Sequence, residues 1–272
     1  MDSKVWFITG TSKGFGREWA EAALERGDKV AASARNPDSL KELQAKYGES
    51  VLPIRLDVKD RAACFSAVEK TVSHFGRIDV LVSNAGYGHF GFIEELTEAE
   101  AREQMETNFF GSLWVIQAAL PFMHGQKSGH IIQVTSIGGV ATFPIFGIYH
   151  ASKWAMEGLC DTLSQEVARF GIKVTLIEPG GFSTDWGTVS AKHSKPLAAY
   201  DELRKERQAF SAKTPKGDPK ATRKAILNVV DATEPPLRLF LGSFPWQVIE
   251  PVYHKRLETW KEWLNVSNEA QG

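Results

Sequence analysis

Ser136, Tyr149 and Lys153 are the residues of this chain whose types and spacing can do chemistry together. Tyr149 and Lys153 stand four apart in a stretch of helical periodicity, so phenol and ammonium share one helix face. A phenol has an ordinary pKa near 10 and is a poor acid–base group at neutral pH. The adjacent ammonium is expected to favour the phenolate and lower that value. Ser136 closes a predicted strand thirteen positions before Tyr149. Its hydroxyl can hold a carbonyl oxygen while Tyr149 gives that oxygen a proton. A Tyr-x-x-x-Lys pair alone arises by chance in many helices; the serine at a strand end makes the set specific.

These side chains need a scaffold, and its first sign is Thr9–Gly16, Thr-Gly-Thr-Ser-Lys-Gly-Phe-Gly. The apolar run Val5-Trp6-Phe7-Ile8 precedes it as a strand, and residues 17–26 follow with Ala20, Ala23 and Leu24 at helical spacing. Strand, glycine turn and helix N-terminus together suit a dinucleotide pyrophosphate, because glycines admit close backbone approach and the helix end offers free N–H groups. Three residues separate the first two glycines, so the spacing is not G-x-G-x-x-G. An oxidised nicotinamide at such a site would add its positive ring to the effect of Lys153 on the phenol.

Further along, strands are predicted at 29–34, 51–56, 78–82, 131–134, 173–177 and 237–241. Helices are predicted at 37–47, 61–75 and 151–170, with 98–108 and 109–123 as two helices or one long bent one. Continuous apolar strands alternating with helices imply a parallel sheet covered on both faces. The expected architecture is α/β: one doubly wound domain over residues 1–272, Rossmann-like, with seven parallel strands and helices on both faces. Residues 183–217 break the rhythm just beyond the sixth strand, where open α/β sheets bind ligands, and read as a helical lid. Residues 244–272, with Trp246, Trp260 and Trp263, form a helical C-terminal extension.

Composition narrows the function. A formal net charge of −1 gives no reason to expect nucleic acid or an anionic membrane as partner. Cys64 and Cys160 make neither metal nor redox spacing and read as reduced structural thiols, and the seven histidines are scattered without metal spacing. No apolar run approaches the roughly 20 residues of a membrane helix. With a strand starting within a few residues of Met1, there is no room for a signal peptide, and the expected location is cytoplasmic.

The separated motifs resemble those of one family, the short-chain dehydrogenases/reductases in their single-domain form, over roughly residues 5–241. Thr9-Gly10-x-x-x-Gly14-x-Gly16 is similar to that family's cofactor turn, with Thr11, Ser12, Lys13 and Phe15 between its glycines. The resemblance makes Asp57-Val58 an adenine contact and Asn84-Ala85-Gly86 the sheet-stabilising Asn-Ala-Gly. It makes Asn108, in Thr107-Asn108-Phe109, the asparagine that bends a helix and holds a proton-relay water. Ser136, Tyr149 and Lys153 match the catalytic serine, tyrosine and lysine. Pro179-Gly180, with Phe182 and Thr184, resembles the segment that holds the nicotinamide carboxamide. Ser83 departs from the pattern, standing where the family often has a second asparagine.

The second strand ends Ser33-Ala34-Arg35, and by alignment with the family Ala34 takes the position of the carboxylate that binds the ribose diol of NAD. Arg35 can pair with a 2′-phosphate, and Lys13 can add a second charge, so NADP(H) is the expected cofactor and reduction the expected direction. Gly138, Val140, Phe143, Phe146, Phe182 and Trp186 are expected to flank the reacting carbon and favour a small apolar or aromatic carbonyl compound, though several of them also suit a core. Phe109–Met123 is apolar nearly all round, and Ala151, Ala155 and Gly158 offer a small-residue face, which suits the helix-pair homodimer common in the family; a tetramer is the alternative. The expected function is a carbonyl reductase or alcohol dehydrogenase. A cofactor-binding sensor or scaffold without turnover, and a dehydratase or epimerase on the same fold, are the other readings.

Overall fold

Every strand expected from the sequence is found in the computed structural model, which describes residues 3–272. The chain runs β1 (Val5–Thr9), α1 (Gly14–Glu25), β2 (Lys29–Ala34), α2 (Lys41–Tyr47), β3 (Val51–Arg55), α3 (Arg61–Phe75) and β4 (Val80–Ser83). There follow β5 (His89–Phe90), α4 (Glu98–Met105), α5 (Gly111–Gln126), β6 (Gly129–Val134), α6 (Gly147–Val167) and β7 (Ile172–Pro179). The chain closes with β8 (Lys192–His193), α7 (Asp201–Lys213), α8 (Thr222–Asp231), β9 (Arg238–Leu241), α9 (Phe244–Glu262) and α10 (Leu264–Glu269). Seven strands pair in parallel in the order β3-β2-β1-β4-β6-β7-β9.

The continuous apolar runs have a simple cause: side chains alternate between two covered faces. On one face Phe7, Leu81, Ile131 and Leu176 pack against α3, α5 and α6. On the other, Trp6, Ile8, Val82 and Ile132 pack against α1, α2 and α8. Trp6, Phe7 and Ile8 are all fully buried, and each such large apolar side chain contributes roughly 1.5–3 kcal/mol on leaving water. Cys64 and Cys160 are free and buried within the first core, and burial pushes both thiols up to about 12. They are structural thiols, as expected.

Local chemistry refines the element ends. The helix predicted at 37–47 opens with a 3₁₀ turn, Pro37–Leu40, whose Asp38 N–H donates to the Asn36 side chain, before α2 begins. Of the two alternatives at 98–123, the bent helix is found: α4 passes through a π turn, Glu106–Phe110, directly into α5. α6 starts four residues earlier than predicted, so Tyr149 lies inside its first turn. β5 and β8 were not foreseen; two residues each are too few to show periodicity, and they tie the loop after β4 to residues 192–193.

The C-terminal extension is helical as expected, but it packs through its first turns only. Ile249, Phe244, Val248 and Val252 of α9 cover Ile137, Val140 and Ala141, whereas Trp246, Trp260 and Trp263 are exposed.

The tightest point of the fold is Gly16. A Cβ there would lie 2.4 Å from the Gly10 carbonyl oxygen and 2.6 Å from the Asn84 side-chain nitrogen. Neither can retreat without opening the turn. Gly16→Ala should therefore destabilise the protein by about 1–3 kcal/mol, the usual cost of overpacking, seen as a lowered thermal midpoint. An unchanged midpoint would mean that the turn is looser than its contacts indicate.

Candidate active site

The sheet order reverses between β1 and β4, whose onward connections run to opposite edges, and a crevice opens beyond their C-terminal ends. Asn84 closes its floor. Its side-chain amide donates to the Thr9 and Gly10 carbonyls at 2.9 and 3.1 Å, while Asn84 N and Ala85 N donate to Thr9 Oγ1 at 2.9 and 3.0 Å. Gly10 turns with φ 70° and Gly14 with φ 60°, left-handed values that glycine adopts without strain. A Cβ on Gly10 would press on Ala85 Cα at 3.1 Å. At the N-terminus of α1, Lys13 makes no side-chain cap and the first turn holds no acidic residue, so the leading N–H groups face the crevice unopposed.

A cleft of about 800 Å³ runs from this turn in both directions. Gly10, Ser12, Lys13, Gly14, Phe15, Asn84, Ala85 and Gly86 line its centre. Arg35, Asp57 and Val58 stand at one end, and Ser136, Gly138, Phe143, Phe146, Tyr149, Lys153 and Trp186 at the other, with Pro179, Gly180, Phe182 and Thr184 along the wall. This shape fits a dinucleotide: glycine cradle and helix N-terminus for the pyrophosphate, with a pocket on each side for the two nucleoside ends.

Four of the expected residues do not face the cleft. Thr11 is fully buried with its hydroxyl donating to the Ser33 carbonyl at 3.0 Å, and Gly16 lies behind Gly10; both shape the turn instead of lining it. Val140 belongs to the core under α9, because the 3₁₀ turn Ile137–Gly139 points it inward. Asn108 is buried in the π turn, its amide donating to Tyr87 O at 3.0 Å and Ser152 Oγ at 3.2 Å. Since Ser152 Oγ in turn donates to the Tyr149 carbonyl at 2.7 Å, Asn108 braces the backbone on which Tyr149 sits.

The charges also differ from expectation. Lys13 is no free cation: it bridges the cleft to Asp185 at 3.1 Å, both side chains about half-exposed. The Tyr149 phenol is pushed above its ordinary value, not below it. Burial dominates, and the Ser136 hydroxyl hydrogen-bonded to the phenol only partly offsets it. Lys153 is itself buried, which lowers it to about 8, and its ammonium donates to the Val134 carbonyl at 2.9 Å, 5.8 Å from the Tyr149 ring centre. The Ser136 hydroxyl accepts from Gly138 N at 3.0 Å. Beside them, burial and the Arg207 charge lower His150 to about 4, so its imidazole is neutral.

The loop carrying Phe146 is held under strain. Ile145 is β-branched yet adopts φ 76°. Its carbonyl accepts from Gly91 N at 2.9 Å, which fixes the Phe146 ring 6.3 Å from that of Tyr149. Behind Lys153, Glu157 accepts from Arg238 Nε at 3.0 Å, and Glu178 lies buried 3.6 Å from the same guanidinium. Several wall residues lacked a sequence signal, among them Phe90, Tyr87 and Phe244. One group did have a signal: Arg207, Phe210, Ser211 and Thr214 recur at helical spacing along α7 and its C-terminal end, and all line the cleft.

Comparison with known proteins agrees with this geometry. The model of the short chain dehydrogenase family matches residues 4–195. The chain is 43% identical over 249 residues to an oxidoreductase, BOA17, of Botryotinia fuckeliana, covering 88% of this chain and 89% of that one. A short-chain dehydrogenase of Streptomyces avermitilis superimposes with a TM-score of 0.93 at 38% identity over 99% and 98% of the two chains. An alcohol dehydrogenase of the archaeon Thermococcus sibiricus, solved in complex with 5-hydroxy-NADP, gives a TM-score of 0.75 at 28% identity over 90% and 98%.

Glu178 gives a thermodynamic signature of this buried cluster. Burial first, and then the neighbouring Glu157 charge, raise its carboxyl to about 8. Its proton-linked stability is therefore complete below the unfolded value of about 4.3 and is lost as pH rises toward about 8. Glu178→Gln should remove that dependence, so the thermal midpoint of the variant should gain on wild type between pH ~5 and ~8. A constant difference across that range would show that Glu178 is ionised throughout.

Proposed function

The chain belongs to the short chain dehydrogenase family, and we propose that within it this protein is an NADP(H)-dependent carbonyl reductase acting on a ketone or aldehyde. The carrying observation is Tyr149: a phenol kept protonated by burial, joined to Ser136 and flanked by Lys153, at one end of a dinucleotide-shaped cleft. When bound, the reduced nicotinamide supplies the hydride. Ser136 holds the carbonyl oxygen, and Tyr149 gives it the proton as charge develops there. The Lys153 ammonium stabilises the phenolate left behind, and Asn108 positions Tyr149 through Ser152. A protein that only binds the cofactor has no use for such a buried proton donor.

Preference for the phosphorylated cofactor is supported at the other end. No carboxylate ends β2; Ala34 is buried there and Arg35 stands exposed at the cleft rim. The archaeal alcohol dehydrogenase solved with an NADP derivative accords with that choice. Residues 183–217 act as a lid in this reading, since α7 has no buried residue and is held by side-chain contacts. The exposed face of Ala151, Trp154 and Gly158 on α6 offers a surface for homodimer pairing.

Tyr149→Phe should lower ketone reduction about 10²–10⁴-fold, the usual worth of a positioned acid, with NADPH binding retained. Wild-type turnover by the variant would remove Tyr149 as the acid and the reductase reading with it. The double change Ala34→Asp with Arg35→Ala should shift preference toward NADH. Loss of a charge-assisted hydrogen bond costs about 1.5–3 kcal/mol, or roughly ten- to a hundred-fold. Kinetics with both cofactors decide it: a wild type that already prefers NADH would show that Arg35 does not meet a phosphate.

A further inference from the structure

Arg207 lies at the substrate end of the cleft, its guanidinium 5.1, 5.3 and 5.2 Å from the ring centres of Phe143, Phe146 and Phe210. Among the described residues its buried Nε finds no acceptor. The charged groups nearby are spoken for or silent. One turn earlier, Arg204 is paired with Glu95. Across the cleft, Asp185 pairs with Lys13 at 3.1 Å and Glu103 with Lys192 at 2.8 Å. His150 faces Arg207 but is neutral, because burial and the Arg207 charge together depress it. Burial alone perturbs Arg207, and no acidic neighbour offsets it. Aromatic faces attract a guanidinium but accept none of its in-plane hydrogen bonds. A partly buried cation with open donors, aimed into a ligand cleft, lacks a partner that the protein itself does not provide.

From this geometry we infer that Arg207 is the anion-binding residue of the substrate cleft, and that the substrate is a carbonyl compound carrying a carboxylate. The inference rests on the reductase reading and narrows it to keto or aldehyde acids with an apolar body. Phe146 neighbours both groups: its ring lies 6.3 Å from that of Tyr149 and 5.3 Å from the Arg207 guanidinium. The proposed acid and the proposed anion site therefore neighbour the same aromatic side chain, so one small aromatic acid can be offered to both. A single unpaired guanidinium balances one negative charge, and its planar fork matches a carboxylate. The apolar cage sharpens the effect, because it strengthens a charge pair formed inside it.

The test uses 4-acetylbenzoate and its methyl ester, which differ in the charge. Binding of each is measured by calorimetry with saturating NADP⁺, where no reduction can occur, and reduction of each with NADPH. Wild type should bind and reduce the acid in preference to the ester. Arg207→Gln should weaken the acid about 10- to 100-fold, the worth of a charge-assisted hydrogen bond, and leave the ester within about twofold. Arg207→Lys, which keeps the charge but not the fork, should retain part of the preference. Equal affinity of wild type for acid and ester, or an equal loss of both in Arg207→Gln, overturns the inference and leaves the reductase reading intact. Arg207-dependent binding of the acid without reduction of either ketone upholds the anion site and overturns that reading. Neither binding nor reduction of either compound overturns both.

Discussion

Four hydrogen bonds at the switch between β1 and β4 hold the rest of the structure in place. Asn84 and Ala85 hydrogen-bond to Thr9 and Gly10, and Gly16 seats itself against the same carbonyl. Without them the ends of two adjacent strands would diverge freely, since their chains leave for opposite edges of the sheet. With them, the helix N-terminus of α1 and the loop after β4 form one rigid edge of the cleft. For the proposed reduction, the positions of Ser136, Tyr149 and Lys153 matter only relative to that edge, because a misplacement of an ångström is costly in rate.

Burial governs the chemistry at the other end. An exposed phenol next to an ammonium would be made more acidic, yet here desolvation outweighs the neighbour and Tyr149 keeps its proton. Lys153 is subject to the same penalty, tempered by Glu157 one turn along α6. The two shifts run in opposite directions, up for the phenol and down to about 8 for the ammonium, so two groups of nearly equal ordinary value, about 10 and 10.4, are driven apart. A neutral phenol is the correct state for protonating a developing alkoxide. Behind Lys153, the buried carboxyls of Glu157 and Glu178 share Arg238, and the Glu157 charge is what opposes the loss of the Lys153 proton.

The architecture and the positions of Ser136, Tyr149 and Lys153 were legible because each depends on local pattern: apolar period, glycine spacing and the four-residue repeat of a helix. What escaped depends on which residues come to face one another. Val140 was indistinguishable from a wall residue until α9, more than a hundred positions away, covered it. Lys13 read as a free cation because Asp185 lies across the cleft, not along the chain. The sign of the Tyr149 perturbation escaped for the same reason: sequence names a charged neighbour, whereas desolvation sums over every packed atom around the ring. Asn108 was placed correctly at a bend, but its partners Tyr87 and Ser152 come from two other segments.

Residues 183–217, proposed above as a lid, differ from the rest of the molecule in how they are held. α7 buries no residue, so it lacks the apolar contacts that make the sheet helices permanent. It is fastened by Arg204 on Glu95, Tyr200 stacked on Phe92, and Phe210 near Phe244. Each tie is a side-chain contact that can break and re-form without unfolding the sheet. The β5–β8 pairing and the Lys13–Asp185 bridge join the same segment to the loop after β4 and to the glycine turn. On the proposed reading, a dinucleotide phosphate at that turn would compete with Asp185 for Lys13, and a substrate anion would engage Arg207. Both ligands would then act on residues 183–217 through charge, and occupancy at one end of the cleft would alter how firmly the other is covered.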